Sequence, residues 1–135
     1  MGDIYKIREF GYMQKALDGL VARQNAVTAN IANAETPGYK AAKVDFEKNL
    51  ASAIGQGFAM KETHPNHMPT KGRGVYGVTP DYTVNLSGAR EDGNTVNLET
   101  EVMTSTETSL KFQTITSIFR RHLGMILEPL KAKGR

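Results

Sequence analysis

Residues 30–46 read NIANAETPGYKAAKVDF. A helical pattern stops inside this stretch and an extended one begins, so its reading decides where the chain turns. Asn30 and Asn33 carry short amides that bond readily to nearby backbone and sit poorly in a helix interior. Asn33 suits the fraying carbonyls of a helix end. Thr36 precedes proline and is pushed towards extended geometry. Pro37 and Gly38 fit the two central positions of a type II turn, where glycine takes the positive φ. Tyr39 can then fold its ring back onto the helix end. Local chemistry alone makes the stretch a helix terminator.

Upstream, Phe10, Met13, Leu17, Leu20, Gln24, Val27, Ile31 and Ala34 follow one another in alternating steps of three and four. Such a seam belongs to a helix packed against other helices, whereas a helix lying on a broad core carries a wider apolar stripe. Gln24 is its one polar member and reads as a register setter. Downstream, Asn97 is placed to cap a helix with Glu99 and Glu101 in its first turn. From there Leu98, Val102, Ser105, Ser109, Phe112, Thr116, Phe119, Leu123, Ile126 and Leu130 repeat the alternation. Met103, Leu110, Ile115, Ile118 and Met125 lie outside that seam, so this helix has a second apolar face and touches more than one neighbour. Pro129 is expected to limit it.

Between the helices, residues 55–93 hold seven glycines and three prolines in 39 positions, which disfavours long regular elements. Partial alternation through Val75, Tyr76, Val78, Tyr82, Val84 and Leu86 leaves room for one short β-hairpin. Residues 40–54 read as extended at first and helical from Asp45. The expected fold is mainly α: long N- and C-terminal helices form an elongated, coiled-coil-like pair, with a loop-rich insert between them. The sections are 1–34 (first helix), 35–54 (turn and following segment), 55–93 (insert) and 94–135 (last helix).

Composition agrees with an extended design. The 135 residues are 39% hydrophobic and 7% aromatic, without tryptophan. Either the fold is elongated, or apolar surface is buried against other chains. A net charge of +3 is mild, and the basic residues alternate with acids except at Lys131, Lys133 and Arg135. No basic stripe points to nucleic acid. The absence of cysteine excludes disulfides, thiolate metal sites and cysteine nucleophiles. No secretory signal is visible, and no run approaches the roughly 20 apolar residues that span a bilayer.

Chemistry-bearing motifs are sparse. His64 and His67 in THPNHMP could supply two metal ligands, but a zinc site takes three or four. Only His122 remains, and no carboxylate except Glu62 lies close in sequence. A proline-rich loop is the better reading, so no metal, cofactor or catalytic residue is assigned. Ser87-Gly88 lacks the surround of a nucleophile elbow, and neither a G-x-G-x-x-G nor a Walker loop is present.

One pattern is specific. Asn30-x-Ala32-Asn33-x-x-Thr36-Pro37-Gly38-Tyr39-Lys40 resembles the N-terminal signature of the bacterial flagellar axial proteins, the rod, hook and hook-associated family. Eight of its eleven positions are specified. Within that family the chain is most similar to the FlgB-type proximal rod subunits. It is short, its motif runs directly into AAKVDFEKNL, and the THPNHMP and DGNTVNLETEV segments are similar as well. FlgC-type rod subunits are the alternative; they usually interrupt the motif before Tyr-Lys. The likeness covers about residues 8–70 and 90–130.

The resemblance implies a structural subunit without enzymatic activity. It implies export, unfolded and without a cleaved signal, through the flagellar type III apparatus. It further implies a place in the heteropolymeric periplasmic rod, beside other rod subunits, the rod adaptor and the membrane-ring proteins, helping to pass torque outwards. Phe10, Met13, Leu17, Leu20, Val27, Ile31, Leu98, Val102, Phe112, Phe119, Leu123 and Ile126 are then the assembly seam. Leu17, Leu20, Phe112 and Phe119 are expected to bury against helices of their own and adjacent subunits. The motif becomes a hinge that fixes where the chain leaves the helical tube. A soluble coiled-coil adaptor or secretion chaperone would share the heptads but has no use for the Thr-Pro-Gly-Tyr stop.

Overall fold

The computed structural model describes residues 2–55 and 77–132, with side chains over 9–54 and 77–127. His64 and His67 lie outside the described residues, as do Val75 and Tyr76. Two long helices dominate: α1 (Gly2–Ala32) and α3 (Leu98–Ala132), each about 50 Å long at 1.5 Å per residue. They run antiparallel. Phe10 meets Phe119 at a ring separation of 5.0 Å, and Gln24 bonds Ser105 at 2.9 Å.

α1 runs without a proline until the motif ends it. Its last turn tightens, with the Asn33 N–H shared between the Ala29 and Asn30 carbonyls at 3.1 and 3.2 Å. The α3 start is capped by Asn97, whose Oδ1 accepts from the N–H groups of Glu99 and Thr100 at 3.1 and 3.3 Å. At its other end α3 continues three residues past Pro129 to Ala132, so the proline does not stop it. Proline removes its own N–H donor but keeps its carbonyl, and the last turn closes over it.

After the turn, β1 (Ala42–Asp45) lies along α1 and leads into the short helix α2 (Glu47–Gly55). β2 (Asp81–Val84) pairs with β1 antiparallel, Ala42 opposite Val84 and Asp45 opposite Asp81. The strand within the insert therefore takes its partner from before the insert, beside α1, where β1 is already anchored. All four residues of β2 are exposed.

The core is thin. Its buried apolar members are mostly alanine and valine, with Leu20 and Phe46 the largest. Among the described residues, two of the four largest side chains buried below 2% are asparagines, Asn30 and Asn94. Polar bonding therefore carries much of the load that apolar packing carries elsewhere.

Candidate functional site

The motif sits at the closed end of the helical hairpin, where α1 stops and α3 begins. Thr36–Tyr39 is a type II turn: the Tyr39 N–H bonds the Thr36 carbonyl at 3.2 Å, and Gly38 has φ +73°. Proline at the position before fixes the other half of that geometry. Among the described residues nothing lies within 4 Å of where a Gly38 Cβ would stand, so the positive φ is what selects glycine here.

Asn94 closes this end from the other side of the chain. It is fully buried. Its Nδ2 donates to the carbonyls of Asn33, Ala34 and Thr36 at 3.0, 3.0 and 2.9 Å. A primary amide has two N–H donors, so at least one is shared. The Asn33 and Thr36 carbonyls also accept the N–H groups of Thr36 and Tyr39 within the turn, at 3.0 and 3.2 Å, so the amide adds a second bond to carbonyls just past the helix end. Its Oδ1 accepts the Val96 N–H at 2.7 Å. Around it the Gly38 N–H bonds the Asp92 carbonyl at 2.9 Å, the Thr95 N–H bonds the Tyr39 carbonyl at 3.1 Å, and Lys40 Nζ donates to the Gly93 carbonyl at 2.6 Å. Tyr39 packs on Ala34, Ala41 and Val96. The segment before α3 thus reads the whole turn through its backbone.

Asn30 does for β1 what a neighbouring strand would do. Its Nδ2 donates to the Ala42 carbonyl at 2.8 Å, and its Oδ1 accepts the Ala42 N–H at 2.9 Å. The Tyr39 hydroxyl reaches the same oxygen at 3.3 Å. Two turns earlier on α1, Arg23 bonds the Val44 carbonyl through Nε at 3.0 Å. Its other two nitrogens grip both Glu47 carboxylate oxygens at 2.6 Å, and its guanidinium lies 4.9 Å from the Phe46 ring centre. That ring rests directly on Gly19, where any Cβ would overlap it. Partial burial pushes the Glu47 pKa up; the Arg23 hydrogen bonds, the N–H groups of Glu47 and Phe46, and the Arg23 charge outweigh it and bring it to about 2.

Among the motif residues Asn30 is buried, Asn33, Tyr39 and Lys40 are half-buried, and Ala32, Thr36, Pro37 and Gly38 are exposed. Asn33 turns back on α1, donating from Nδ2 to the Ala29 carbonyl at 2.8 Å and accepting from the Thr36 hydroxyl at 3.2 Å. Asn94, Arg23, Glu47 and Gly19 lie outside every pattern the sequence displays. They act across separations of 21 to 61 residues, which no local spacing encodes.

The apolar seam divides. On α1, Leu20 and Val27 are buried, Phe10, Met13 and Leu17 half-buried, and Ile31 exposed. On α3, Phe119 and Ile126 are half-buried, while Leu98, Val102, Phe112 and Leu123 are exposed. The row of α3 that meets α1 includes Ser105, Thr108, Phe119 and His122. Thr108 is 3% exposed, and His122 Nδ1 stands 3.6 Å from Glu9 Oε2. A groove of about 370 Å³ runs beside this contact, between Leu20, Val21 and Gln24 of α1 and Thr108 and Phe112 of α3. The Gln24 Oε1 is buried and has no partner among the described residues. Among the described residues no cluster of His, Cys, Asp and Glu could hold a metal ion, and no helix is long and apolar enough to cross a membrane.

A family model described as "Flagella basal body rod protein" matches residues 14–40, the second half of α1 with the motif turn. Relatives extend the likeness over most of the chain. A flagellar basal body rod protein FlgB of Buchnera aphidicola is 30% identical, covering 90% of this chain and 93% of the relative. One of Cereibacter sphaeroides is 33% identical, covering 93% and 95%. One of Salmonella typhimurium is 34% identical, covering 76% and 78%.

Proposed function

The chain belongs to the FlgB family of flagellar basal body rod proteins, and from that premise we propose that it is a structural subunit of the rod that polymerises through its two terminal helices. The observation that carries this is the exposed apolar surface of a helix pair already formed. Leu98, Val102, Phe112 and Leu123 on α3, with Val21 and Ile31 on α1, are each 37–56% exposed. Apolar surface of that extent on a folded chain marks an interaction site. A rod grows by heterologous contacts that do not close, and a two-helix shaft with different free faces meets that requirement.

In this reading the seam residues contact other rod subunits, and the motif turn holds the chain's exit from the shaft at one angle. The neighbours are other rod components, the rod adaptor and membrane-ring proteins, and torque passes through the packed shafts. The chain reaches the basal body through the flagellar export apparatus and carries no catalytic role. Val102→Asp tests this. Val102 is 56% exposed, so the isolated fold should be unchanged by circular dichroism, while cells carrying the substitution should lack complete rods and fail to swim. Normal basal bodies and motility in that strain would remove the seam from the proposal.

A further inference from the structure

α3 carries a second exposed row, on the side away from α1. Met103, Leu110, Ile118 and Met125 are 66, 59, 44 and 52% exposed. Glu107 and Arg121 fall between them on the same row and are exposed too. At 100° per residue these six positions and Thr114 occupy an arc of about 80°.

The row reads alike in both directions about Thr114. Reversed on itself, it sets Met103 over Met125, Leu110 over Ile118, and Glu107 over Arg121. We propose that this face docks a second copy of the chain, with the two α3 helices antiparallel and Thr114 at the two-fold axis. An isologous contact of this kind must be self-complementary, and the row is so in both apolar size and charge. A parallel copy would oppose Glu107 to Glu107 and Arg121 to Arg121. Arg121 has no ion-pair partner among the described residues. Glu107 is held by Lys111 one turn along its own helix at 2.6 Å, a surface pair that exchanges at little cost. The contact goes beyond the rod reading, because a two-fold dimer closes on itself and stands outside the polymer. Its failure would show in the purified protein, whereas failure of the rod reading would show in swimming cells.

The absence of cysteine allows single-cysteine mapping on the full chain. Thr114→Cys should yield a covalent dimer on mild oxidation, since only residues near the axis bring their Cα atoms within disulfide range of their own copies. Met103→Cys alone should not, but mixed with Met125→Cys it should give the cross-linked pair. In sedimentation velocity, Glu107→Arg and Arg121→Glu should each weaken dimerisation by roughly tenfold, which is about 1.4 kcal/mol. The chain carrying both should recover. Self-linking of Met103→Cys as efficient as that of Thr114→Cys, a double variant as weak as the singles, or a monomer at every accessible concentration would each overturn the proposal.

Discussion

At the closed end of the hairpin, Asn94 and Asn30 are 0% and 1% exposed and bond across the chain through both amide atoms. Along the shaft, α3 leaves Val102, Met103 and Leu110 more than half exposed and meets α1 partly through Ser105 and Thr108. One region is finished within the chain; the other is left open. Buried amide networks demand exact geometry and lose heavily when a partner goes. Exposed apolar rows tolerate change in the isolated chain and matter once something covers them. In the proposed rod reading, the closed end sets the angle at which the chain leaves the shaft, and the open faces remain for other subunits.

The sharpest way to break this contrast is Asn94→Ala. It leaves the buried Val96 N–H without its acceptor and removes the three bonds that tie the turn carbonyls to the segment before α3. The expected loss is on the order of 3 kcal/mol or more, a large share of the roughly 5–15 kcal/mol that holds a domain folded. Urea unfolding measures it. A loss below about 1 kcal/mol would mean that the closed end is not the stiff region described.

Gly38→Val comes next. Its cost is conformational, because the space is open among the described residues. A β-branched residue held at φ +73° should lose about 2 kcal/mol, while Gly38→Asn, which tolerates that region, should lose under about 1 kcal/mol. Equal losses for the two would place the requirement in space rather than in φ.

How much of this was legible follows the same divide. Asn97, Pro37 and Gly38 act on backbone within three residues of themselves, and their roles could be read from spacing alone. Asn94 acts about 60 residues away, and nothing in NTVNL distinguishes it from an ordinary turn asparagine. Gly19 lies 27 positions before Phe46, whose ring fills the place of its side chain, and nothing in the local sequence marks it. On α3 the alternation takes Ser109 and Leu123, which are exposed, and passes over their neighbours Thr108 and His122, which face α1; a step of three or four fits either row, and the apolar Leu123 drew the reading to the wrong one. Ser105, Phe112, Phe119 and Ile126 belong to the alternation, and Ser105 and Phe119 also reach α1.

A smaller effect tests how β1 and α2 are tied to the shaft. Glu47 has its pKa depressed from 4.5 to about 2, so its pair with Arg23 stabilises the fold above pH 4.5 and is lost as pH falls towards 2. Glu47 is 49% exposed, so screening leaves about 1 kcal/mol of that contribution. Glu47→Gln should therefore unfold earlier than the parent at pH 7, with the gap narrowing steadily below pH 4.5. A gap that stays constant down to pH 2.5 would assign the effect to packing instead of charge.

The smallest expected change has the opposite sign. Gln24 donates to Ser105 at 2.9 Å, but its own Oε1 is buried without a partner among the described residues. Gln24→Leu removes that orphan acceptor and leaves Ser105 free to bond its own helix backbone. Stability should rise, by less than about 1 kcal/mol. If polar groups in the shaft serve register, the gain comes with a looser pairing of α1 and α3, seen as faster amide exchange near Phe10 and Phe119. A clear loss of stability would show instead that the Gln24–Ser105 bond contributes as the amides of the closed end do, and the distinction between the two regions would narrow to one of degree.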